Sequence, residues 1–282
     1  MALPKLILFD IGGVCVLSPL QVILDYELSL GIPRGWINTA ISRSGPNGFW
    51  HRLERGEIPM DDAFFHGFSQ DLHNAGHWAS FCQRAQAISS TKATPAPVPP
   101  VPQIDAKALF FAMMDHSTTS DPWMFPALQK LRASGQFIIG ALSNTVIFPP
   151  THPLGQRDLS TDPLRMAFDF FISSAHVGLR KPQPEIYALA LARANEVAEH
   201  KRGNGSAGLL KSGRIEPGDI LFLDDIGENL REARSQGFQT MKVPLGRAYE
   251  AVDELERITG LSLAGSHPRE PILPRSSLKS KI

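Results

Sequence analysis

Four short stretches of the chain place polar residues at the ends of apolar runs, and together they have the makings of a phosphate-processing site. Asp10 closes LILFD, Ser143-Asn144 closes FIIGALSN, Lys181 stands in GLRKPQPEIY, and Asp224-Asp225 close ILFLDD. A carboxylate in such a position can attack phosphorus and carry the phosphoryl group as an aspartyl phosphate. Several carboxylates gathered at one point repel one another, so the set predicts a hard cation with oxygen ligands, Mg²⁺ being the natural choice. The cation would also screen an anionic nucleophile from an anionic substrate. Lys181 would neutralise Asp10 and the phosphoryl oxygens. The Ser143 hydroxyl and nearby backbone N–H groups would hold those oxygens as charge builds in the transition state.

Residues so far apart in sequence meet only if the segments that carry them lie side by side. Five runs read as strands: 5–9 (KLILF), 136–145 (QFIIGALSNT), 168–174 (FDFFISS), 219–225 (DILFLDD) and 239–244 (QTMKVP). The first is continuously apolar, which suits a parallel sheet covered on both faces. Helical patterns at 184–198 (PEIYALALARANEVA) and 229–237 (NLREARSQG) separate the later strands. Strands alternating with helices through short turns predict an α/β fold, a right-handed, doubly wound parallel sheet. In such a sheet chemistry gathers at the carboxyl ends of the strands.

Between the first and second strands the chain reads as mostly helical from 18 to about 90, punctuated by Gly31, Pro33, Gly45, Pro46, Gly56 and Pro59, and again over 105–116 and 126–134. Residues 91–103 (TKATPAPVPPVPQ) are a proline-rich, extended insertion whose composition cannot build a core. Residues 148–163 read as a loop, 199–213 as a polar surface excursion, and 261–282 as a disordered tail. The expected organisation is a core from 1–17 and 120–260, with a helical unit, 18–119, inserted between them.

Of the 282 residues 43% are hydrophobic, ample for a core, and 28 basic residues balance 28 acidic ones. That balance argues against a nucleic-acid or membrane-surface partner and leaves a small phosphorylated molecule as the expected one. No apolar run approaches the roughly 18 residues of a membrane span, and the N-terminus carries no signal-peptide pattern. Two cysteines, Cys15 and Cys82, distant in sequence, fit a reducing, cytoplasmic compartment. The last three residues, Ser280-Lys281-Ile282, resemble the peroxisomal Ser-Lys-Leu address.

Taken together, LILFDIGGV, ALSNT, VGLRKPQPEIY and FLDDIGENLREARSQGF resemble the four motifs of the haloacid dehalogenase-like hydrolases. The wording is most similar to the N-terminal phosphatase domains of soluble epoxide hydrolases, and IPRGWINTAISRSGPNGFWHRLERGEI is similar to that subgroup's helical cap. The likeness covers about 5–246, less the insertions. It implies a Rossmann-like core with an inserted cap and a Mg²⁺-dependent phosphatase. Asp10 would be nucleophile and metal ligand, and Gly12 would offer its carbonyl to the metal. Ser143 and Asn144 would bind phosphate, Lys181 would be the stabilising cation, and Asp225 the second carboxylate ligand. Asp224 and Asn229 would support the metal directly or through water.

The same likeness makes Gly12 the conspicuous departure. Phosphatases of this family usually place there a second aspartate, which protonates the leaving group. General acid catalysis is worth about 10²–10⁴ in rate, so its loss has consequences. Three routes remain open: another group or water supplies the proton; a good leaving group, such as phosphate from a diphosphate, needs none; or the metal site serves carbon–oxygen ionisation instead. Fungal biosynthetic relatives include phosphatases of drimane-type sesquiterpenyl phosphates, which the compact sequence resembles, and prenyl-diphosphate cyclases. The likeness to the fungal enzymes implies a phosphatase of a terpenoid phosphate in secondary metabolism; the alternatives are a lyase that cyclises a prenyl diphosphate and a catalytically inactive binding protein. DDIGE (224–228) also spells the Asp-Asp-x-x-Glu of ionisation-type cyclases.

Other residues have chemistry to offer but plainer explanations. His73 and His77 stand four apart on a helical pattern, a metal-binding spacing that no carboxylate completes. Trp36, Phe49, Trp50, Phe64, Phe65, Phe68 and Trp78 would line an apolar pocket or simply pack the helical unit. Arg34 and Arg52 would reach an anionic substrate or face solvent.

Overall fold

The computed structural model of the protein describes residues 3–89, 97–203 and 213–274. Five parallel strands form one sheet in the order β3-β2-β1-β4-β5. They are β1 (Leu6–Phe9), β2 (Ile138–Ser143), β3 (Phe170–Ser173), β4 (Ile220–Asp224) and β5 (Gln239–Lys242), each inside a run whose pattern predicts it. β1 is the hub: Leu6 pairs with Ile138 on one side and Ile220 on the other. The chain builds outward through β2 and β3, then returns to the opposite side for β4 and β5. The reversal point lies between β1 and β4, where an open α/β sheet leaves its crevice.

Between β1 and β2 come α1 (Pro19–Ser29), α2 (Trp36–Arg43), α3 (Phe49–Glu54), α4 (Asp62–Leu72), α5 (Ala75–Ser89), α6 (Ala106–His116) and α7 (Met124–Ser134). After β2 follow α8 (Pro163–Met166), α9 (Ser174–Val177), α10 (Pro184–Gly203), α11 (Gly227–Ser235) and α12 (Ala248–Thr259).

Alternation along β1 sets the layers. Ile7 and Phe9 face the cluster that includes Met124, Leu128, Val252 and Leu255 of α7 and α12. Leu6 and Leu8 face Ile186, Tyr187, Ala190 and Leu230 of α10 and α11. All four β1 side chains are fully buried, so truncating one, Leu8→Ala, costs about 2–5 kcal/mol through lost burial and the cavity left behind. α1 to α6 keep an apolar interior of their own, centred on Trp36, Phe64, Phe68, Leu109 and Phe110. The chain enters and leaves this unit at adjacent points: Leu17 N–H donates to the Thr119 carbonyl at 2.9 Å, and Val16 bridges Ser120.

Several expectations change in detail. The helical pattern over 60–88 breaks in two because the Asn74 side chain captures the His77 N–H at 3.0 Å and starts α5. α10 runs to Gly203, into the segment read as a surface excursion; 204–212 lie outside the described residues. The tail read as disordered from 261 is packed as far as 274. Leu263 is fully buried, Trp123 Nε1 donates to the Pro268 carbonyl, and Ile272 N–H to that of Gly246. An apolar anchor and backbone pairing fix a segment that lacks regular structure. The address at 280–282 and residues 91–96 of the proline-rich insertion fall outside the described residues; 97–100 are exposed. No described helix is long and apolar enough to cross a membrane.

Candidate active site

Asp10 follows β1, Ser143 ends β2 and Asp224 ends β4, so three neighbouring strands deliver three polar residues to one edge. Adjacent strands lie about 4.8 Å apart, which brings their terminal side chains within reach of one another. Lys181 arrives from the turn before α10. Its ammonium lies 2.9 Å from Asp10 Oδ1 and 2.8 Å from Asp224 Oδ2 and is wholly buried, with the Phe222 ring centroid 5.3 Å away. One oxygen from each of Asp10, Asp224 and Asp225 falls within 4.8 Å of the others, the spacing of groups that share one cation.

The two adjacent aspartates do different work. Both Asp224 oxygens are engaged: Oδ1 accepts from the Ile226 N–H and Asn229 Nδ2, Oδ2 from Lys181 Nζ and Asn229 Nδ2. Asp224 therefore anchors Lys181, and Asn229 steadies Asp224, held in turn by the Tyr187 hydroxyl donating to its carbonyl at 3.0 Å. Asp225, one residue on, is partly exposed, and among the described residues its Oδ2 accepts only a long bond from Ser18 Oγ, 3.3 Å. Asp10 Oδ1 accepts from the Ile11 N–H and Lys181. Among the described residues Asp10 Oδ2 has no hydrogen-bond donor.

Burial pushes the Asp10 carboxyl up to about 7; Lys181 pulls it back and the Asp224 carboxylate adds to the rise. Burial raises Asp225 well above the usual carboxylate range, with Asp224 and Asp10 adding to it. Burial works against the Lys181 ammonium, but Asp10 and Asp224 outweigh it and hold its pKa above the ordinary value. One cation facing three crowded carboxylates leaves the site short of positive charge. That shortage, and an all-oxygen donor set, fit a hard divalent ion.

The Gly12-Gly13 turn separates cleanly. Gly13 has φ of +76°, and a Cβ there would sit 2.2 Å from Asp225 Oδ2. Gly12 has no left-handed φ, and a Cβ would meet only the Pro19 ring at 3.5 Å, an ordinary contact. The turn's hydrogen bonds run to the Ile11 and Val16 carbonyls, and none uses the Gly12 carbonyl, which stays available.

Ser143 is nearly buried, and among the described residues its hydroxyl makes only a 3.5 Å contact to the Asn144 carbonyl, so it can turn to a ligand. The Asn144 side chain, expected on phosphate, is instead committed to the backbone of Lys181: Nδ2 donates to its carbonyl at 3.0 Å and Oδ1 accepts its N–H at 2.8 Å. It holds the lysine loop in place.

The remaining candidates lie outside this cluster. His73 Nδ1 pairs with the Ser69 carbonyl and its Nε2 accepts from the Ile104 N–H, which makes it a fastener within the helical unit. The seven aromatics all join the apolar interior of that unit, five of them buried. Arg34 is exposed, and Arg52 lies 3.8 Å from Glu57. Burial raises both cysteine thiols, so neither is an activated nucleophile. Glu228, the last letter of DDIGE, is exposed on α11, away from the three-carboxylate cluster. Sequence reasoning did not identify Ser18, whose hydroxyl touches Asp225 while accepting from the Leu20 N–H to cap α1; the Ser18-Pro19 pair ahead of a helical pattern is its signal.

No family profile matches the chain. Among curated proteins it is 29% identical over 262 residues to mouse acyl-CoA dehydrogenase family member 10, covering 92% of this chain and 19% of that protein. It is 28% identical over 275 residues to pig bifunctional epoxide hydrolase 2, covering 95% of this chain and 40% of that one. In its four motifs the chain resembles haloacid dehalogenase-like hydrolases. It spans two-fifths or less of the length of these curated relatives. Solved structures that resemble it include a HAD-like family hydrolase from Porphyromonas gingivalis, 19% identical, with 91% of this chain and 99% of that one covered and a TM-score of 0.46. Another is a HAD family enzyme from Bacteroides thetaiotaomicron, in complex with magnesium and inorganic phosphate, 17% identical, with 88% and 98% covered and a TM-score of 0.44.

Proposed function

We propose that the protein is a Mg²⁺-dependent hydrolase that transfers a phosphoryl group from a small phosphate ester or diphosphate to Asp10 and then to water. The observation that carries this reading is the meeting of Asp10, Lys181, Asp224 and Asp225 at one edge of the sheet, with Asp10 Oδ2 unencumbered. Asp10, Asp225 and the Gly12 carbonyl would hold the cation, which supplies charge neutralisation and Lewis acidity. Lys181 holds Asp10 Oδ1 and leaves Oδ2 to attack. The Ser143 hydroxyl donates to the phosphoryl oxygens. The helical unit covers the site and selects the organic part of the substrate, and its closure excludes water.

Gly12 carries no acid, so a leaving group that needs no proton is favoured. The lyase reading loses its motif, because Asp224 is saturated by Lys181, Asn229 and the Ile226 amide and Glu228 is exposed and not part of the three-carboxylate cluster. Diphosphates of apolar alcohols, terpenoid diphosphates among them, which lose their terminal phosphoryl group from a monophosphate leaving group, are the substrates to try first, with the monophosphates as comparison. A cleft of about 420 Å³ between the end of α3 and the loop after β2 is walled by Leu53, Ile58, Met60, Ile147 and Phe148.

The test is to incubate the protein with Mg²⁺ and a panel of sugar, lipid and prenyl phosphates and diphosphates, with Asp10→Asn as control. Free phosphate and organic products are measured. Phosphate release that depends on Asp10 is expected. Equal release by Asp10→Asn, or pyrophosphate release with a cyclised product, overturns the reading.

A further inference from the structure

Lys181 is reached from the helical unit by a closed circuit of contacts. Arg180, the residue before it, donates from Nε to Glu54 Oε2 at 2.8 Å, and the Glu54 side chain is only 9% exposed. Glu54 ends α3, and its carbonyl accepts from the Ser174 hydroxyl at 2.6 Å. Ser174, fully buried at the start of α9, also accepts the Thr145 N–H at 2.8 Å. Thr145 follows Asn144, whose side chain grips the Lys181 backbone from both sides. The circuit thus runs from Glu54 through Arg180 to Lys181, on through Asn144 and Thr145 to Ser174, and back to the Glu54 carbonyl.

Two neighbours show how tightly the joint is docked. Gly56, at φ +66°, approaches the Ala175 carbonyl so closely that a Cβ would lie 2.2 Å from it. His51, one turn before Glu54, is buried, and among the described residues its Nδ1 has no hydrogen-bond partner. Arg180 and Arg55 both lie near that ring. The Arg180 guanidinium therefore meets its counter-charge in Glu54.

We propose that Glu54 is a positioning residue that acts through Arg180 to hold Lys181 between Asp10 and Asp224, so that the seating of the inserted helical unit is read at the reaction centre. The inference rests on the hydrolase reading for its kinetic consequence and on the circuit alone for its structural one. Without its carboxylate partner a half-buried guanidinium turns toward water. The peptide it moves is the one that delivers the ammonium. A displacement of about 1 Å at a reacting group is enough to cost roughly 10²-fold in rate.

Glu54→Gln, Arg180→Gln and the double variant give the test. Each single change should lower kcat for phosphate release about 10- to 100-fold while KM stays within about threefold, and the double should fall no further than either single. Arg180→Lys should recover part of the loss. Hydrogen exchange reads the same joint without any substrate. The hydrogen-bonded amides of Arg180, Lys181 and Gln183 should exchange about tenfold faster in both single variants, with the sheet unchanged. Wild-type kcat and exchange in Glu54→Gln, additive losses in the double, or losses that track a general fall in melting temperature overturn the proposal. If the wild-type protein releases no phosphate from any substrate, the hydrolase reading fails. The exchange measurement then still decides whether Glu54 holds the lysine loop.

Discussion

Two consecutive glycines should respond in opposite ways to the same substitution. In Gly13→Ala the new methyl would sit 2.2 Å from Asp225 Oδ2, 2.8 Å from Asp225 Cγ and 2.9 Å from Ser18 Oγ. A carbon–oxygen contact needs roughly 3.3 Å or more, so the carboxylate must retreat by about 1 Å. The left-handed backbone, φ +76°, adds about 1–2 kcal/mol for any residue with a Cβ. At roughly 2–4 °C per kcal/mol this predicts a melting temperature lower by about 2–8 °C. The displaced Asp225 should cost about 10²-fold in kcat and most of the Mg²⁺-induced thermal shift. In Gly12→Ala the methyl meets only Pro19 at 3.5 Å, without a left-handed φ. Removing unfolded-state freedom there should leave stability unchanged or raise it by up to about 1 kcal/mol, with Mg²⁺ binding intact. Scanning fluorimetry with and without Mg²⁺, and phosphate release, check both. Wild-type behaviour in Gly13→Ala together with collapse of Gly12→Ala would refute the assignment of the turn.

Because a side chain fits at position 12, Gly12→Asp should raise the rate on alkyl phosphates, by up to about 10²-fold, and leave a substrate with a good leaving group nearly unchanged; comparing the two substrate classes checks this. Asp225→Asn should keep or raise the melting temperature but abolish its Mg²⁺ shift. Asp224→Asn, by breaking the buried pair with Lys181, should destabilise the fold by about 3–5 kcal/mol in chemical denaturation, and a reversed pattern would exchange their roles. Lys181→Met should leave Asp10 facing Asp224 without a cation, with phosphate release lost and the protein more dependent on Mg²⁺ for stability. His51 is buried neutral, burial pushing its imidazole down to about 4 with Arg180 and Arg55 adding to the fall. The unfolded chain, at the ordinary 6.5, then binds the proton more tightly. The resulting stability, on the order of 3 kcal/mol, is complete above pH 6.5 and lost as pH falls through about 4; denaturant titrations of wild type and His51→Gln between pH 4 and 7 should differ in slope accordingly.

The strands and the carboxylates were legible because each obeys one local rule. Four apolar residues before Asp10 and five apolar or small ones before Ser143 can only be interior strands ending on polar groups. The division of labour between Asp224 and Asp225 was not legible. Which oxygen faces Lys181 depends on the Ile226 amide and on Asn229, five residues away on α11. Asn144 misled for the same reason: its amide suits phosphate and backbone equally, and only the position of the 181 loop selects the backbone. α12 carries a legible signal of its own, Ala248, Ala251, Val252 and Leu255 at helical spacing before Gly260. The packed stretch after it depends on Leu263 and on Trp123, a contact from far along the chain that no local pattern encodes.

The neck at Leu17–Thr119 and Val16–Ser120 brings both ends of the inserted helices to one spot on the sheet. A foreign bundle spliced between those two crossings would meet an unaltered strand edge, because the native insert fills its interior chiefly with its own side chains. Specificity and chemistry can thus diverge at separate speeds, with the Glu54–Arg180 handshake and the Glu54–Ser174 and Gly56–Ala175 contacts beside it as the terms of agreement a transplanted insert must reproduce.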